Sequence, residues 1–197
     1  MSDVAIVDSG GANIASLVFA LRRLGREASL TRDPDMIANA SHVLLPGVGA
    51  AAAAMARLDE TGLSELLPRL RQPVLGICLG MQLLFEASRE GNTRCLGILP
   101  GNADALTGSP EHPVPHMGWN RAYAGTADPL FAGLENGGWF YFVHSYAVNT
   151  GACTIATTEY GHTFTAAARR DNFFGTQFHP ERSSATGARV LANFLAM

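Results

Sequence analysis

The segment Pro73–Ser88, PVLGICLGMQLLFEAS, contains the transition that decides the fold. Pro73–Ile77 is a continuous apolar run, Cys78 interrupts it, and the remainder keeps the apolar spacing of a helix. The sequence therefore predicts a buried strand that passes directly into a helix over Leu79–Ser88. An apolar run without alternation is typical of a parallel strand that is covered on both faces.

The same order of strand and helix recurs before this segment, and strand-like runs separated by turn residues follow it. The predicted strands are Val4–Val7, Ala28–Thr31, His42–Leu45, Trp139–Val143, Cys153–Thr158, Thr163–Ala168 and Phe173–Phe178, and the further predicted helices are Asn13–Leu24, Ala50–Arg57 and an amphipathic Ser184–Met197. Leu99–Pro115, with several Gly and Pro residues, is expected to be a loop. We expect an α/β fold with a single doubly wound, mostly parallel, flavodoxin-like sheet and antiparallel strands added in the C-terminal half.

Composition narrows the possible functions. The 197 residues are 47% hydrophobic, which is enough for one well-buried core, so a single domain over residues 1–197 is expected. The net charge is −3 and the 14 basic residues, all arginine, form no run, which argues against a nucleic acid or an anionic membrane as a partner. The chain start has no basic, apolar leader and no stretch is long enough to span a membrane, so a cytoplasmic location is expected.

Cys78 lies in the spacing of a nucleophile elbow. Gly76 and Gly80 flank it at positions −2 and +2, as in the G-x-S-x-G motif with sulfur in place of the hydroxyl. Small residues there allow the sharp turn between strand and helix, and a helix N-terminus favours a thiolate. The alternative is a buried cysteine that acts as a small hydrophobe, which is our interpretation of Cys95 and Cys153.

A cysteine nucleophile needs a base, and six histidines are available. His179 is the candidate because it follows the predicted strand Phe173–Phe178, and in open α/β sheets ligands collect at strand ends. Glu181, two residues on, can accept a hydrogen bond from the imidazole and fix its tautomer. Taken alone, His-Pro-Glu is more typical of a turn with a solvated carboxylate.

The loop Pro46–Gly49 follows the third predicted strand, and three interpretations remain open for it. Its backbone amides can face a developing oxyanion. Its glycine spacing also fits a dinucleotide fingerprint, although the acidic residue expected about 20 positions later is missing. A tight turn without a ligand is the third possibility.

Two segments carry a family resemblance: Gly76–Phe85 (GICLGMQLLF) and Gly175–Glu181 (GTQFHPE) resemble the nucleophile and His-Glu motifs of class I, triad-type glutamine amidotransferases. Within that family, Pro115–Asn120 (PHMGWN) and Tyr141–Tyr146 (YFVHSY) resemble segments of the glutaminase subunits of imidazole glycerol phosphate synthases. Asp8–Asn13 and Pro46–Gly49 are similar to the same subunits, so the resemblance spans the chain.

This resemblance implies a glutaminase that needs no metal or organic cofactor and that channels ammonia to a separate (β/α)₈ cyclase subunit in a heterodimer. It implies the following roles: Cys78, His179 and Glu181 as the catalytic triad; Val48, Gly49 and Leu79 as oxyanion amides; Gln82, Tyr141, His144 and Ser145 at the glutamine site; and Asn13, Trp119, Asn120 and Arg182 at the cyclase interface. For Trp119 the alternative is ordinary core burial.

The chain departs from the family pattern at three positions: Ser9 stands where tyrosine is usual, Ala51 where phenylalanine is usual, and Arg182 where lysine is usual. Arg182 keeps the charge, but its fork can form a bidentate ion pair. Two other functions remain to be distinguished from a glutaminase. They are another cysteine hydrolase on a related sheet, and a silent binding subunit whose partner uses external ammonia.

Overall fold

A computed structural model of the chain describes residues 4–10, 14–125 and 128–197. The strands are β1 Val4–Val7, β2 Ala28–Thr31, β3 His42–Gly47, β4 Val74–Cys78, β5 Ala87–Ser88, β6 Thr93–Arg94, β7 Asn102–Ala105, β8 His116–Ala124, β9 Gly138–His144, β10 Tyr146–Val148, β11 Thr154–Tyr160, β12 His162–Arg170 and β13 Phe173–Thr176. The helices are α1 Ile14–Arg23, α2 Pro34–Ala38, α3 Ala51–Glu60, α4 Leu63–Leu66, α5 Leu79–Leu84 and α6 Ser184–Phe194, with 3₁₀ turns at Leu67–Arg69, Glu90–Asn92, Pro129–Phe131 and Pro180–Arg182.

One nine-stranded mixed sheet, in the order β2-β1-β3-β4-β13-β12-β11-β8-β9, forms the centre of the molecule. Its first five strands pair in parallel, and the remaining four continue it in antiparallel fashion. The predicted α/β class is confirmed, as are antiparallel strands in the C-terminal half. Because β3, β4 and β13 are neighbours, the segments that leave their carboxyl ends emerge side by side, where ligands of such sheets collect.

Helices cover both faces of this sheet. On one face, α1 and α6 bury Leu17, Leu21, Val190, Leu191 and Phe194 against β-strand residues. On the other, the helices α2 to α5 bury apolar side chains in a second cluster. The central strands β1, β3 and β4 are buried at every position, which explains why their sequences do not alternate. Among the residues that the structure describes, no helix has the length and apolarity needed to cross a bilayer.

The helix that starts at Leu79 is shorter than predicted and ends at Leu84 instead of Ser88. Its last carbonyls accept hydrogen bonds from the backbone of a distant loop, including Leu96 N–H to Leu83 and Ile98 N–H to Leu84, both at 2.9 Å. The chain then forms β5 at Ala87–Ser88. This prediction was wrong because the loop competes for the carbonyls that a longer helix would use.

The sequence analysis missed a second sheet and one long strand. The second sheet has the order β10-β7-β5-β6, and its strand β7 lies inside the segment Leu99–Pro115 that was expected to be a loop. The long strand is β8, which pairs with β9 at the edge of the main sheet. Both faces of β8 carry polar as well as apolar residues, so its sequence lacks the regular alternation of polar and apolar residues that predicts a strand.

Candidate active site

Cys78 occupies a sharp turn at the end of β4, immediately before α5. Its backbone has φ 55° and ψ −112°, a conformation that non-glycine residues rarely adopt. Such strain costs about 1–3 kcal/mol and is typical of functional sites. The predicted nucleophile elbow is therefore present in the backbone.

The two glycines of the elbow are required by close backbone packing. A Cβ on Gly76 would lie 2.6 Å from the carbonyl oxygen of Gly80, and a Cβ on Gly80 would overlap the carbonyl group of Leu45 in β3. Without side chains at these positions, α5 approaches the sheet closely. The thiol of Cys78 is thereby held just above the sheet edge.

His179 follows β13 and lies opposite the elbow. Its Nδ1 is 2.8 Å from Glu181 Oε1, and both side chains are buried. Its other nitrogen, Nε2, has no well-aligned hydrogen-bond partner among the described residues, so it can accept a proton. Burial by itself lowers the pKa of His179, but the neighbouring side chains of Cys78 and Glu181 raise it to about 10. The imidazole of His179 therefore holds its proton at pH 7.

A cavity of about 320 Å³ opens in front of the sulfur. This volume is at the lower end for a ligand site and fits a single amino acid. Its lining includes Cys78, Leu79, Gln82, Glu90, Val143, His144, Ser145, Tyr146, His179, Val48 and Gly49. Most of the residues that the family resemblance assigns to oxyanion and substrate roles thus surround one space.

The amide of Gln82 is fixed on the floor of this cavity. Its Nε2 donates to the carbonyl oxygen of Tyr146 at 2.8 Å and to Oε1 of Gln177 at 2.9 Å. Gln177 is fully buried, and its own Nε2 lies 3.8 Å from the sulfur of Cys78. The thiol in turn donates to the carbonyl oxygen of Val143 at 3.6 Å.

The loop that follows β3 forms the opposite wall. Gly49 has φ 88° and can present only backbone atoms to the cavity. Two contacts hold the loop: Ser9 Oγ donates to the carbonyl of Pro46 at 2.8 Å, and Ala51 N–H donates to Glu90 Oε2 at 2.8 Å. Ser9 and Ala51, two departures from the family pattern, are both buried here.

His144 belongs to a buried pair of histidines at the side of the cavity. Its Nδ1 donates to the Tyr146 carbonyl, and its Nε2 lies 2.9 Å from Nδ1 of His116. Burial lowers the pKa of His144 to about 3. The hydrogen bond to Tyr146 raises this pKa, and the charges of His116 and His179 lower it further. Burial, with the charge of His112, lowers the pKa of His116 to about 4. Both imidazoles are therefore neutral at pH 7.

Four of the described residues predicted for the substrate site or the interface, Trp119, Asn120, Tyr141 and Arg182, lie outside the lining of the cavity. Tyr141 lies on the outer face of β9, with the Arg182 guanidinium 4.6 Å from its ring centroid and Trp119 at 6.2 Å. Trp119 is 49% exposed, so core burial does not apply to it. The side chain of Asn120 points to the other face of β8, where it contacts His116 Nε2 and the Glu159 carbonyl. Asn13 lies outside the described residues.

The other two cysteines do not line this cavity. Burial raises the pKa of the Cys95 thiol to about 11, although a hydrogen bond from the backbone of Ser88 lowers it, so this thiol is protonated at pH 7. Cys153 is only partly buried, contrary to our interpretation, because it lies just before β11.

Sequence reasoning overlooked Glu90 and Gln177. Glu90 lies just beyond the predicted helix Leu79–Ser88 and carried no motif, and only the turn after β5 brings its carboxylate to the cavity. Gln177 lies in the quoted GTQFHPE motif, two residues before His179, so a signal for it existed.

A strained cysteine at an elbow, with a buried His–Glu pair opposite, is an arrangement that suits nucleophilic catalysis by cysteine. The family model of class-I glutamine amidotransferases matches residues 5–197, and the chain belongs to that family. The predicted family is thus confirmed.

More specific relatives agree over the full length. The chain is 52% identical over 197 residues to the "Imidazole glycerol phosphate synthase subunit HisH" of Xylella fastidiosa (strain Temecula1), covering 100% of this chain and 98% of the relative. It is 47% identical over 201 residues to the subunit HisH 1 of Vibrio vulnificus (strain YJ016), with 98% of each chain covered.

Solved structures match the fold. A structure described as a glutamine amidotransferase has a TM-score of 0.76 at 18% identity, covering 98% of this chain and 97% of that one. The structure of PurLQS from Thermotoga maritima has a TM-score of 0.73 at 20% identity, covering 100% and 99%.

Proposed function

We propose that this chain is the glutaminase subunit of an imidazole glycerol phosphate synthase, and that it acts in the cytoplasm as a single domain. The observation that carries the proposal is the strained Cys78 opposite the buried pair of His179 and Glu181. Relatives of that name, alike over their full length, support the choice of synthase.

Glutamine fits the cavity chemically. Its ammonium group needs an anionic partner, and Glu90 supplies a carboxylate in the lining. The Gln82 side chain and the backbone of Ser145 and Tyr146 supply polar contacts for the rest of the amino acid. The side-chain amide then reaches Cys78.

Cys78 attacks the amide carbon of glutamine as a thiolate, while His179 holds the proton taken from the thiol. The tetrahedral oxyanion is stabilised by N–H groups of Leu79 and of the Val48–Gly49 loop. His179 then gives its proton to the departing nitrogen, and ammonia leaves behind a glutamyl thioester. Water, activated by His179, attacks the thioester, releases glutamate and regenerates the thiol. Glu181 keeps the imidazole oriented throughout.

Ammonia has an exit on the far side of His179. A second cavity of about 80 Å³ is lined by apolar residues such as Leu17 and Ile77, and it shares Val48, Val143 and His179 with the substrate cavity. A water molecule occupies about 30 Å³ in the liquid, so ammonia fits this space. The cavity reaches Arg182 near the surface.

The partner is a (β/α)₈ cyclase that consumes this ammonia to form imidazole glycerol phosphate and the aminoimidazole carboxamide ribotide of histidine biosynthesis. The outer face of β8 and β9 supports its docking next to the small cavity. Met117, Trp119, Tyr123 and Trp139 are exposed there, and Arg121 lies 5.1 Å from the Trp139 ring. Exposed aromatic and arginine side chains on one face are typical of protein interfaces.

Cys78→Ala tests the proposal. The variant should release no ammonia from glutamine, yet its complex with the cyclase should still form product from added ammonium salt. Cys153→Ala, a partly buried cysteine away from the cavity, is the matched control and should keep wild-type turnover. Glutaminase turnover in Cys78→Ala would refute the assignment of the nucleophile. Wild-type protein that hydrolyses a peptide or ester but releases no ammonia from glutamine would favour another cysteine hydrolase.

A further inference from the structure

Gln177 contacts the sulfur of the nucleophile but has no part in the mechanism described above. It follows β13, is fully buried, and its backbone N–H is held by the Ala166 carbonyl at 2.8 Å. Its amide lies between Gln82 and Cys78, with Oε1 2.9 Å from Gln82 Nε2 and Nε2 3.8 Å from Cys78 Sγ.

The hydrogen-bond network fixes which end of this amide faces the sulfur. The carbonyl of Tyr146 can only accept, so the amide nitrogen of Gln82 must face it. The second N–H of that nitrogen then requires an acceptor, which is Oε1 of Gln177. If the Gln177 amide were reversed, its Nε2 would face Gln82 Nε2, and two N–H donors would oppose each other. The N–H group of Gln177 is therefore directed to the sulfur.

From this geometry we infer that Gln177 is a further catalytic residue, whose N–H donates to the Cys78 sulfur and stabilises the thiolate. The Val143 carbonyl accepts a hydrogen bond from the thiol and therefore favours the protonated sulfur. A donor to the sulfur is needed to offset this effect and stabilise the thiolate. The amide of Gln177 does not titrate, unlike His179, and its donor is present at every step.

The deacylation step has a particular need for such a donor. Water adds to the thioester carbonyl, the carbon–sulfur bond breaks, and its electron pair stays on the sulfur before a proton returns. The Gln177 N–H stabilises that leaving thiolate. This role rests on the proposed glutaminase function, but the reactivity of the sulfur itself can be measured without glutamine.

The test is the rate of iodoacetamide alkylation of Cys78 in the full chain as a function of pH, read by peptide mass spectrometry to separate it from Cys95 and Cys153. Gln177→Met removes the donor, and we expect the rate at pH 7 to fall about tenfold, the lower end for a hydrogen bond to a charged group. The pH midpoint should rise by about one unit. The alkylation rate of Gln177→Glu should be lower still, because this substitution places a carboxylate oxygen next to the sulfur.

Which of the two variants, Gln177→Met or Gln177→Glu, alkylates more slowly distinguishes the catalytic role from a structural one. Glutamate has the shape of glutamine and keeps an acceptor for Gln82, so a merely structural role predicts Gln177→Glu near wild type and Gln177→Met as the impaired variant. Thr176→Val is the control in the same strand end, because the buried Thr176 hydroxyl has no partner among the described residues; it should alkylate as wild type. Thermal unfolding of each variant verifies folding, and Gln177→Asn, which withdraws the donor, gives the same measurement if either fails to fold.

Alkylation in Gln177→Glu and Gln177→Met that matches wild type in rate and midpoint would overturn the inference. If both variants alkylate slowly while the wild type releases no ammonia from glutamine, the proposed function fails and the effect of Gln177 on the sulfur stands. If ammonia is released normally by Gln177→Glu, the catalytic role of Gln177 is refuted and the glutaminase assignment stands.

Discussion

Lowering the pH from 7 to 5 should destabilise this fold through the buried pair of His116 and His144. The ring of His116 stacks on Tyr160 at 4.0 Å and on Phe142 at 4.9 Å. Because the Tyr146 carbonyl takes the Nδ1–H of His144, the Nε2 of His144 must accept from Nδ1–H of His116. Protonating His144 would put two N–H groups face to face, so the neutral pair is the satisfied state.

The magnitude follows from the two pKa values. Burial lowers the pKa of His116 from 6.5 to about 4 and that of His144 from 6.5 to about 3. Between pH 6.5 and 4 the unfolded chain therefore binds more protons than the folded one, and the free energy of unfolding falls with the pH. At pH 5 the loss is about 2 kcal/mol for each histidine, or roughly 4 kcal/mol for the pair.

His179 acts in the opposite sense, because its pKa is raised to about 10 by Cys78 and Glu181 against the effect of burial. Its stabilisation is complete below about pH 6.5 and is lost as the pH rises towards 10, so it changes by only about 1 kcal/mol between pH 7 and 5. It therefore does not cancel the effect of the pair.

Urea unfolding at pH 7 and pH 5 measures the difference. The variant His116→Phe keeps the stacking on Tyr160, and it should reduce the pH difference by about half. His162→Gln, at an exposed position, is the control and should leave the pH difference unchanged. Equal unfolding free energies of the wild type at the two pH values, or a His116→Phe variant with the wild-type difference, would refute the reasoning.

Three further substitutions test the elbow, the loop and the partner surface. Gly80→Ala should destabilise the fold by several kcal/mol, about 3 or more, because its Cβ overlaps the Leu45 carbonyl; a thermal unfolding temperature near wild type would contradict this. Gly49→Pro removes an N–H and cannot adopt φ 88°, so we expect cyclase stimulation of glutaminase turnover to disappear while glutamine binding persists; stimulation equal to wild type would remove this peptide from the oxyanion site. Arg182→Glu breaks the contact with the Tyr141 ring and should weaken cyclase binding more than folding; an unchanged Kd in a low-salt titration would exclude the proposed interface charge.

The sequence by itself determined the elbow and the position of the His–Glu pair. Gly76, Cys78 and Gly80 lie within five residues, and His179 and Glu181 within three, so each motif can be recognised from a short stretch of sequence. The continuous apolar runs likewise determined the parallel half of the sheet, because a strand buried on both faces needs apolar residues at every position.

The tertiary structure alone decided where α5 ends and, with it, the position of Glu90. The carbonyls of Leu83 and Leu84 accept hydrogen bonds from the backbone N–H groups of Leu96 and Ile98. No residue within the helix itself predicts that these bonds replace those of a longer helix. The chain therefore turns into β5, and the next turn carries Glu90 to the cavity.

Long-range contacts also decided the orientation of two polar side chains. The amide of Gln177 is oriented by Gln82, which lies 95 residues away in sequence, so its donor towards Cys78 cannot be read from the motif. Asn120 follows Trp119 directly, yet pairing of β8 at the sheet edge turns its amide inward to His116 while Trp119 stays exposed. Periodicity places neighbours on opposite faces, but only packing determines which face becomes the core.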